Sequence, residues 1–139
     1  IKTLIDAGFT VVAVGGGGIP VIEDENGNLQ GTFAVIDKDR ASSLLASELN
    51  ADLFLISTAV EKVAINFNQP NQKWLDSMTL SEAKKYYAEG HFLSGSMGPK
   101  IEAIIAFLEA NPKGKALVTN PESIVDALDR KTGTWIVPD

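Results

Sequence analysis

Four consecutive glycines, Gly15 to Gly18, follow directly on the apolar, β-branched run Thr10-Val11-Val12-Ala13-Val14. That junction restricts the fold more than any other stretch. Each glycine loses more backbone freedom on folding than any other residue, so four in series are costly. An ordinary turn needs one or two. The run before them reads as a strand buried on both faces, as in a parallel sheet. A strand ending in such a loop can aim several backbone N–H groups at one ligand, as anion-binding nests do. The alternative is a tight turn from strand into hairpin. The spacing matches neither G-x-G-x-x-G nor the P-loop with its terminal Lys-Ser/Thr, which disfavours both classes.

The remaining pattern alternates strands and helices. Val21-Ile22 and Leu29 to Ile36 flank Asn26-Gly27, a strong hairpin signal. Ala41, Leu44, Leu45 and Leu49 recur at helical spacing and predict a helix from about Asp39 to Asn50, capped by Asp37 or Asp39. Asp52 to Ser57 is a second buried strand. Strand, helix, strand in that order gives β–α–β units and a parallel sheet. Val60, Val63 and Ile65 suggest extended chain, and Asn68 to Lys73, with Pro70, a loop. Thr79 and Glu82 form a capping box opening a helix that stops at Gly90. Ile101, Ile104, Ile105 and Leu108 line the next helix, ended by Pro112 and Gly114. Ala116 to Thr119 is a third buried strand, Asn120-Pro121 caps a last helix, and Thr132 to Val137 closes the sheet, expected at an edge. Ile1, Leu4 and Ile5 lead to Gly8 at helical spacing. They read as the last turns of a helix that begins upstream, so a longer parent chain is expected.

Composition narrows the chemistry. A length of 139 residues predicts one domain with a real core. There is no cysteine, hence no disulfide, thiolate ligand or thiol nucleophile, and His91 is the one histidine. The formal charge of −6 argues against non-specific nucleic-acid binding, which needs a field of Lys and Arg. No apolar run approaches the roughly 18–20 residues of a membrane-spanning helix.

Two lysines stand where helices begin. Asp37-Lys38-Asp39 puts a cation at a helix N-terminus, where the dipole favours anions. Lys38 makes sense there if it meets a phosphate, with a neighbouring carboxylate fixing it or binding Mg²⁺. A solvated capping cluster is the alternative. Gly95-Ser96-Met97-Gly98-Pro99-Lys100 delivers a second lysine into a first helical turn, where amides and ammonium together make an anion site. A plain helix cap is again the alternative. All three loops would lie at the carboxyl end of a parallel sheet, where α/β proteins bind ligands. Charge neutralisation of this kind is what phosphoryl transfer needs most. Tyr86, Tyr87, Trp74 and Trp135 read as packing or surface anchors, and His91 as structural.

VVAVGGGGIPV (Val11 to Val21), AVIDKD (Ala34 to Asp39), Val60 to Phe67 and GHFLSGSMGPKIEA (Gly90 to Ala103) together resemble the carbamate kinases of the amino-acid kinase family. The resemblance implies a three-layer α/β/α sandwich with a mainly parallel sheet and a β-hairpin, of which residues 1–139 are the C-terminal, nucleotide-binding half. It implies ATP/ADP, Mg²⁺ and reversible phosphoryl transfer between ATP and carbamate, often run towards ATP from carbamoyl phosphate in arginine breakdown. Lys38, Asp39 and Lys100 take the catalytic positions, with Asp39 orienting the lysines. Gly15, Gly16, Gly17 and Gly18 would lie against the transferring phosphoryl group. Thr58, Val60, Val63, Ala64, Phe67, Ser96 and Met97 would bind the nucleotide, with adenine between the Ala64 to Phe67 stretch and the Met97 loop. No residue is assigned as a protein metal ligand. The family's N-terminal half carries further Gly-rich loops and most of a homodimer interface, so the 139 residues alone are expected to be inactive. A cytoplasmic location is implied, with neither nucleic acid nor membrane as partner. Val14 stands where the family usually has a small or polar residue, and Ala59 where Asp or Gly is common. Two other functions remain open: a different acyl-phosphate-forming amino-acid kinase, or a nucleotide-binding module without catalysis.

Overall fold

The computed structural model describes residues 1–93 and 95–139. Ser94, within the Gly90 to Ala103 motif, lies outside the described residues. The elements in chain order are α1 (Lys2–Asp6), β1 (Val21–Glu23), β2 (Leu29–Gly31), α2 (Lys38–Glu48), β3 (Leu53–Ser57), β4 (Val63–Ile65), β5 (Lys73–Leu75), β6 (Ser77–Thr79), α3 (Leu80–Ala88), α4 (Met97–Ala110), β7 (Lys115–Thr119), α5 (Ile124–Leu128) and β8 (Thr134–Val137). A 3₁₀ turn, Pro121–Ser123, leads into α5.

One four-stranded sheet organises the molecule, in the order β3-β7-β8-β6. β3 runs parallel to β7 and β6 parallel to β8, while β7 and β8 are antiparallel. Successive side chains of a strand point to opposite faces. On one face Phe54, Ile56, Ala116, Val118 and Ile136 meet Ile101, Ile104, Phe107 and Leu108 of α4 in a single core. Phe54 and Phe107 pack with ring centroids 5.4 Å apart. α2 lies against α4, and the small Ser43 permits close approach, its hydroxyl donating to the Ala103 carbonyl at 2.7 Å. On the other face a Cβ on Gly133 would touch both Leu117 and Ala127, so α5 covers that side. Trp135 Nε1 donates to the Ala127 carbonyl there, at 3.1 Å. Helices on both faces of a mainly parallel sheet make the expected three layers.

Local signals account for the helix starts. Asp37 caps α2, its carboxylate accepting from the N–H groups of Asp39 and Arg40. Thr79 and Glu82 close a reciprocal capping box on α3. Asn120 accepts from the N–H of Ser123.

Three expectations need correction. Thr10 to Val14 is not a strand: Val12 is 96% exposed, and among the described residues the run has no ladder partner. Strand propensity is realised only where a neighbouring strand supplies pairing and cover. β8 is not an edge strand, because β6, which the sequence does not announce, pairs on its outer side. The return arm of the β1–β2 hairpin stops at Gly31, leaving Phe33 and Val35 exposed.

Candidate functional site

A cavity of about 180 Å³ opens just past the carboxyl end of β3. Thr58, Ala59 and Val60 form its floor, directly following Ser57. The backbone N–H of Thr58 donates to the Thr119 carbonyl at 2.8 Å, carrying the β3–β7 ladder one residue further. One wall comes from the hairpin of β4 and β5, a separate two-stranded sheet. Its register pairs Ala64 with Trp74 and Val63 with Leu75. Alternation then decides which side chains face the cavity: Ala64 and Trp74 line it, while Val63 and Leu75 turn into the core. The Thr134 hydroxyl fixes the hairpin to the main sheet, accepting from the Val63 N–H at 2.8 Å and donating to the Leu75 carbonyl at 2.5 Å. Phe67, just past β4, meets Trp74 edge-on with centroids 6.3 Å apart. The facing wall is Met97, the first residue of α4, with Ser96, Leu93 and Phe92 upstream of it.

Lys100 closes one end of this mostly apolar space. Its ammonium donates to Asp39 Oδ2 at 3.1 Å, and Lys38 donates to the same oxygen at 3.4 Å. The Asp39 and Lys100 side chains are only 12% and 15% exposed, whereas Lys38 is 62% exposed. A carboxylate removed from water must be paired, and here two cations share it. The cluster carries a net positive charge, beside the N-termini of two helices whose dipoles add to it. An anion entering the cavity's end would be drawn to this point. Arg40 and Glu102, 2.7 Å apart, tie α2 to α4 beside the cluster, Arg40 following Asp39 directly and Glu102 two residues past Lys100. The hydrogen bond from Arg40 to Glu102 raises the guanidinium pKa further above its ordinary value.

Gly15 to Gly18 do not line the cavity. The buried Gly17, with φ +93°, packs so tightly that a Cβ would stand 2.1 Å from the Ile36 carbonyl oxygen. Ile36 immediately precedes the cap of α2, so the glycine turn lies against the N-terminus that carries Lys38 and Asp39. Val14, at φ +49°, takes a left-handed conformation that β-branched residues resist.

Of the residues expected at a nucleotide, the structure brings Thr58, Val60, Ala64, Phe67, Ser96, Met97 and Lys100 to one cavity. Val63 lies behind it, fully buried in the core. Sequence reasoning did not place Ala59, Lys62, Trp74, His91, Phe92 or Leu93 on the wall. Trp74 becomes visible only once the β4–β5 register puts it opposite Ala64. His91 sits edge-on to Tyr86 with Nε2 3.2 Å from Glu89 Oε2. Among the described residues no three carboxylate or imidazole groups converge to cage a metal ion.

Comparison with known proteins agrees with this architecture. The model of the amino acid kinase family matches residues 1–120. Carbamate kinase of Thermococcus kodakarensis is 51% identical over 137 residues, 99% of this chain and 43% of that protein. Carbamate kinase of Thermoplasma volcanium is 53% identical over 138 residues, 99% of this chain and 45% of that protein. The structure of carbamate kinase from Giardia lamblia bound to AMP-PNP superposes with a TM-score of 0.92 at 44% identity, covering 99% of this chain and 43% of that one. The chain thus spans less than half the length of the relatives it matches.

Proposed function

The chain belongs to the amino acid kinase family, and on that premise we propose that residues 1–139 form the nucleotide side of a carbamate kinase, which interconverts ATP and carbamate with ADP and carbamoyl phosphate. The observation that carries this reading is the shared carboxylate of Asp39, which holds Lys100 on the wall of an apolar cavity and Lys38 beside it, outside the lining. Phosphoryl transfer asks for positioned cations more than for proton chemistry. Carbamate is already an anion and needs no general base. Lys100, the more enclosed ammonium, stabilises charge on the transferring phosphoryl oxygens. Lys38 reaches the same region from the solvent side. Asp39 orients both and is a positioning residue. Backbone N–H groups of the Gly15 to Gly18 turn complete the cradle from the α2 side, apart from that of Gly17, which donates to the Val14 carbonyl within the turn.

The adenine ring lies between the Ala64 to Phe67 wall and Met97, with Thr58, Val60 and Ser96 along the ribose. The apolar lining with a cation at one end fits a nucleotide, whose base is planar and whose phosphates are charged. The AMP-PNP carried by the Giardia lamblia relative supports the same choice. Mg²⁺ would enter on the nucleotide's phosphates, because it commonly binds through phosphates and only one or two carboxylates. The carbamate pocket and the surface of a homodimer are assigned to parts of the protein beyond these residues. A cytoplasmic enzyme of arginine catabolism is the cellular counterpart. No helix is long and apolar enough to cross a membrane among the described residues.

The test is a pair of substitutions in the protein at its full natural length. Lys100→Ala and Lys38→Ala should lower kcat for carbamate-dependent ADP formation, Lys100→Ala by about a hundredfold or more, as expected for loss of a cation at developing charge. Weakened ATP affinity with undiminished turnover at saturation would identify a binding module instead. Activity with glutamate or acetylglutamate in place of carbamate would identify a different acyl-phosphate kinase.

A further inference from the structure

The two tryptophans have different circumstances. Trp135 serves the fold: its indole N–H donates to the Ala127 carbonyl at 3.1 Å, and the Arg130 guanidinium lies 4.6 Å from its ring centroid. Trp74 is 48% exposed, and its indole N–H meets no acceptor among the described residues. It occupies the middle of β5 opposite Ala64, whose small side chain leaves the ring's inner side open to the cavity. Phe67, itself 39% exposed, stands edge-on to it at an interplanar angle of 74°. Two large aromatic side chains left half in water at one cavity rim present an L-shaped corner. Such a corner holds a flat ring by stacking on one member and edge contact with the other. Across the cavity Met97 offers a polarizable thioether, which also suits an aromatic face.

We propose that Trp74 contacts the base directly and sets a preference for purine over pyrimidine nucleotides, the larger bicyclic ring covering more of the indole. This rests on the reading of the cavity as a nucleotide site. Stacking of a base on an aromatic side chain is worth roughly 1–3 kcal/mol by truncation, or about 5- to 150-fold in affinity. Trp74 takes no part in phosphoryl transfer, so its removal acts on nucleotide affinity and not on turnover at saturation.

The experiment compares wild type, Trp74→Leu and Trp74→Phe in the protein at its full natural length, with ATP and CTP as probes. Calorimetry should show the ATP Kd of Trp74→Leu raised about tenfold and the CTP Kd raised by a clearly smaller factor, so that the purine preference narrows, with melting temperature near wild type and kcat within twofold. ATP should quench tryptophan emission in wild type and leave Trp74→Phe unquenched, a signature that a purely structural Trp74 would not give. Unchanged ATP affinity and unchanged purine preference in Trp74→Leu would overturn the proposal, as would full quenching in Trp74→Phe. If Trp74→Leu proves unstable, the quenching comparison with the aromatic-conserving Trp74→Phe decides. Failure of wild type to bind either nucleotide would overturn the nucleotide site itself. Intact ATP binding indifferent to position 74 would overturn only the role of Trp74.

Discussion

Lys100 Nζ and Asp39 Oδ2 lie 3.1 Å apart, although 61 residues separate them in the chain. Each sits in the first turns of its own helix, Asp39 in α2 and Lys100 in α4, and the packing of those helices sets their distance. The same oxygen accepts from Lys38 at 3.4 Å, so a single atom governs the placement of two cations.

Asp39→Asn should therefore affect catalysis more than nucleotide binding. The amide retains the shape and loses the charge that orders both ammonium groups. Turnover is expected to fall by about ten- to a hundredfold, with a smaller change in KM for ATP, the pattern of an electrostatic arrangement that has lost preorganisation. Steady-state kinetics on the full natural length would read this. A larger change in KM than in kcat would contradict the positioning role.

Gly17→Ala should be among the most damaging single substitutions. Its Cβ would approach the Ile36 carbonyl oxygen to 2.1 Å, and its φ of +93° is strained for any L side chain. Conformation alone costs about 1–2 kcal/mol, and the clash adds to it. Loss of turnover and a lower denaturation midpoint are expected together, because the displaced Ile36 is joined to the α2 cap. Gly16→Ala, where added volume meets open space, is the control for the denaturation midpoint alone.

Val14→Asn should stabilise the protein. Val14 holds φ +49°, a region that asparagine visits more readily than a β-branched residue. A gain of up to about 1 kcal/mol is expected from denaturant titration. A loss of that size would show instead that the valine side chain packs usefully.

Asp37→Ala should cost about 1 kcal/mol near neutral pH, the usual loss for an N-cap. The N–H of Arg40 above all holds the Asp37 carboxyl below its ordinary pKa; burial opposes it, and the N–H of Asp39 adds a smaller lowering. A depressed folded pKa means the folded state binds this proton more weakly than the unfolded chain. The contribution is thus full above the unfolded value of about 3.9 and fades as pH falls through the lower folded value. Melting temperatures of wild type and Asp37→Ala should converge below about pH 4. A difference that widens on acidification would refute the cap's role.

Gly98→Ala should weaken nucleotide binding without abolishing folding. A Cβ there would come within 2.9 Å of the Leu93 carbonyl oxygen, which already accepts from the Gly98 N–H at 2.8 Å. Leu93 and Met97 both line the cavity, so the forced shift opens its wall. Nucleotide titration of the variant should give a several-fold higher Kd.

Short-range chemistry was readable in the chain wherever one turn of backbone decides the outcome. The Thr79–Glu82 box, the Asp37 cap and the Asn26-Gly27 hairpin all depend on residues within a few positions of one another. Periodicity likewise marked α4, which buries a continuous apolar face, and α2, whose contact with α4 runs through the small Ser43 while Leu44 stays exposed. The three-residue strands β5 and β6 flank the polar Asp76 and follow a loop rich in Asn, Gln and Pro. Nothing local distinguishes them, and without β6 the sequence pattern makes β8 the end of the sheet. The opposite error befell Thr10 to Val14, whose composition is that of a strand but whose pairing is missing among the described residues. Lys38, Asp39 and Lys100 carried a sequence signal because cations at helix starts are unusual. Trp74 carried none, because only register brings it to the cavity.

The hydroxyl of Thr134, between the Val63 N–H and the Leu75 carbonyl, joins the cavity's aromatic wall to the main sheet. The lysines ride on α2 and α4, and the aromatic wall rides on a hairpin that shares the same core through Val63 and Leu75. Thr134 adds the polar part of that joint, so Thr134→Val leaves the Val63 N–H and the Leu75 carbonyl buried without this partner and strains the seat of Trp74 while changing no residue that lines the cavity.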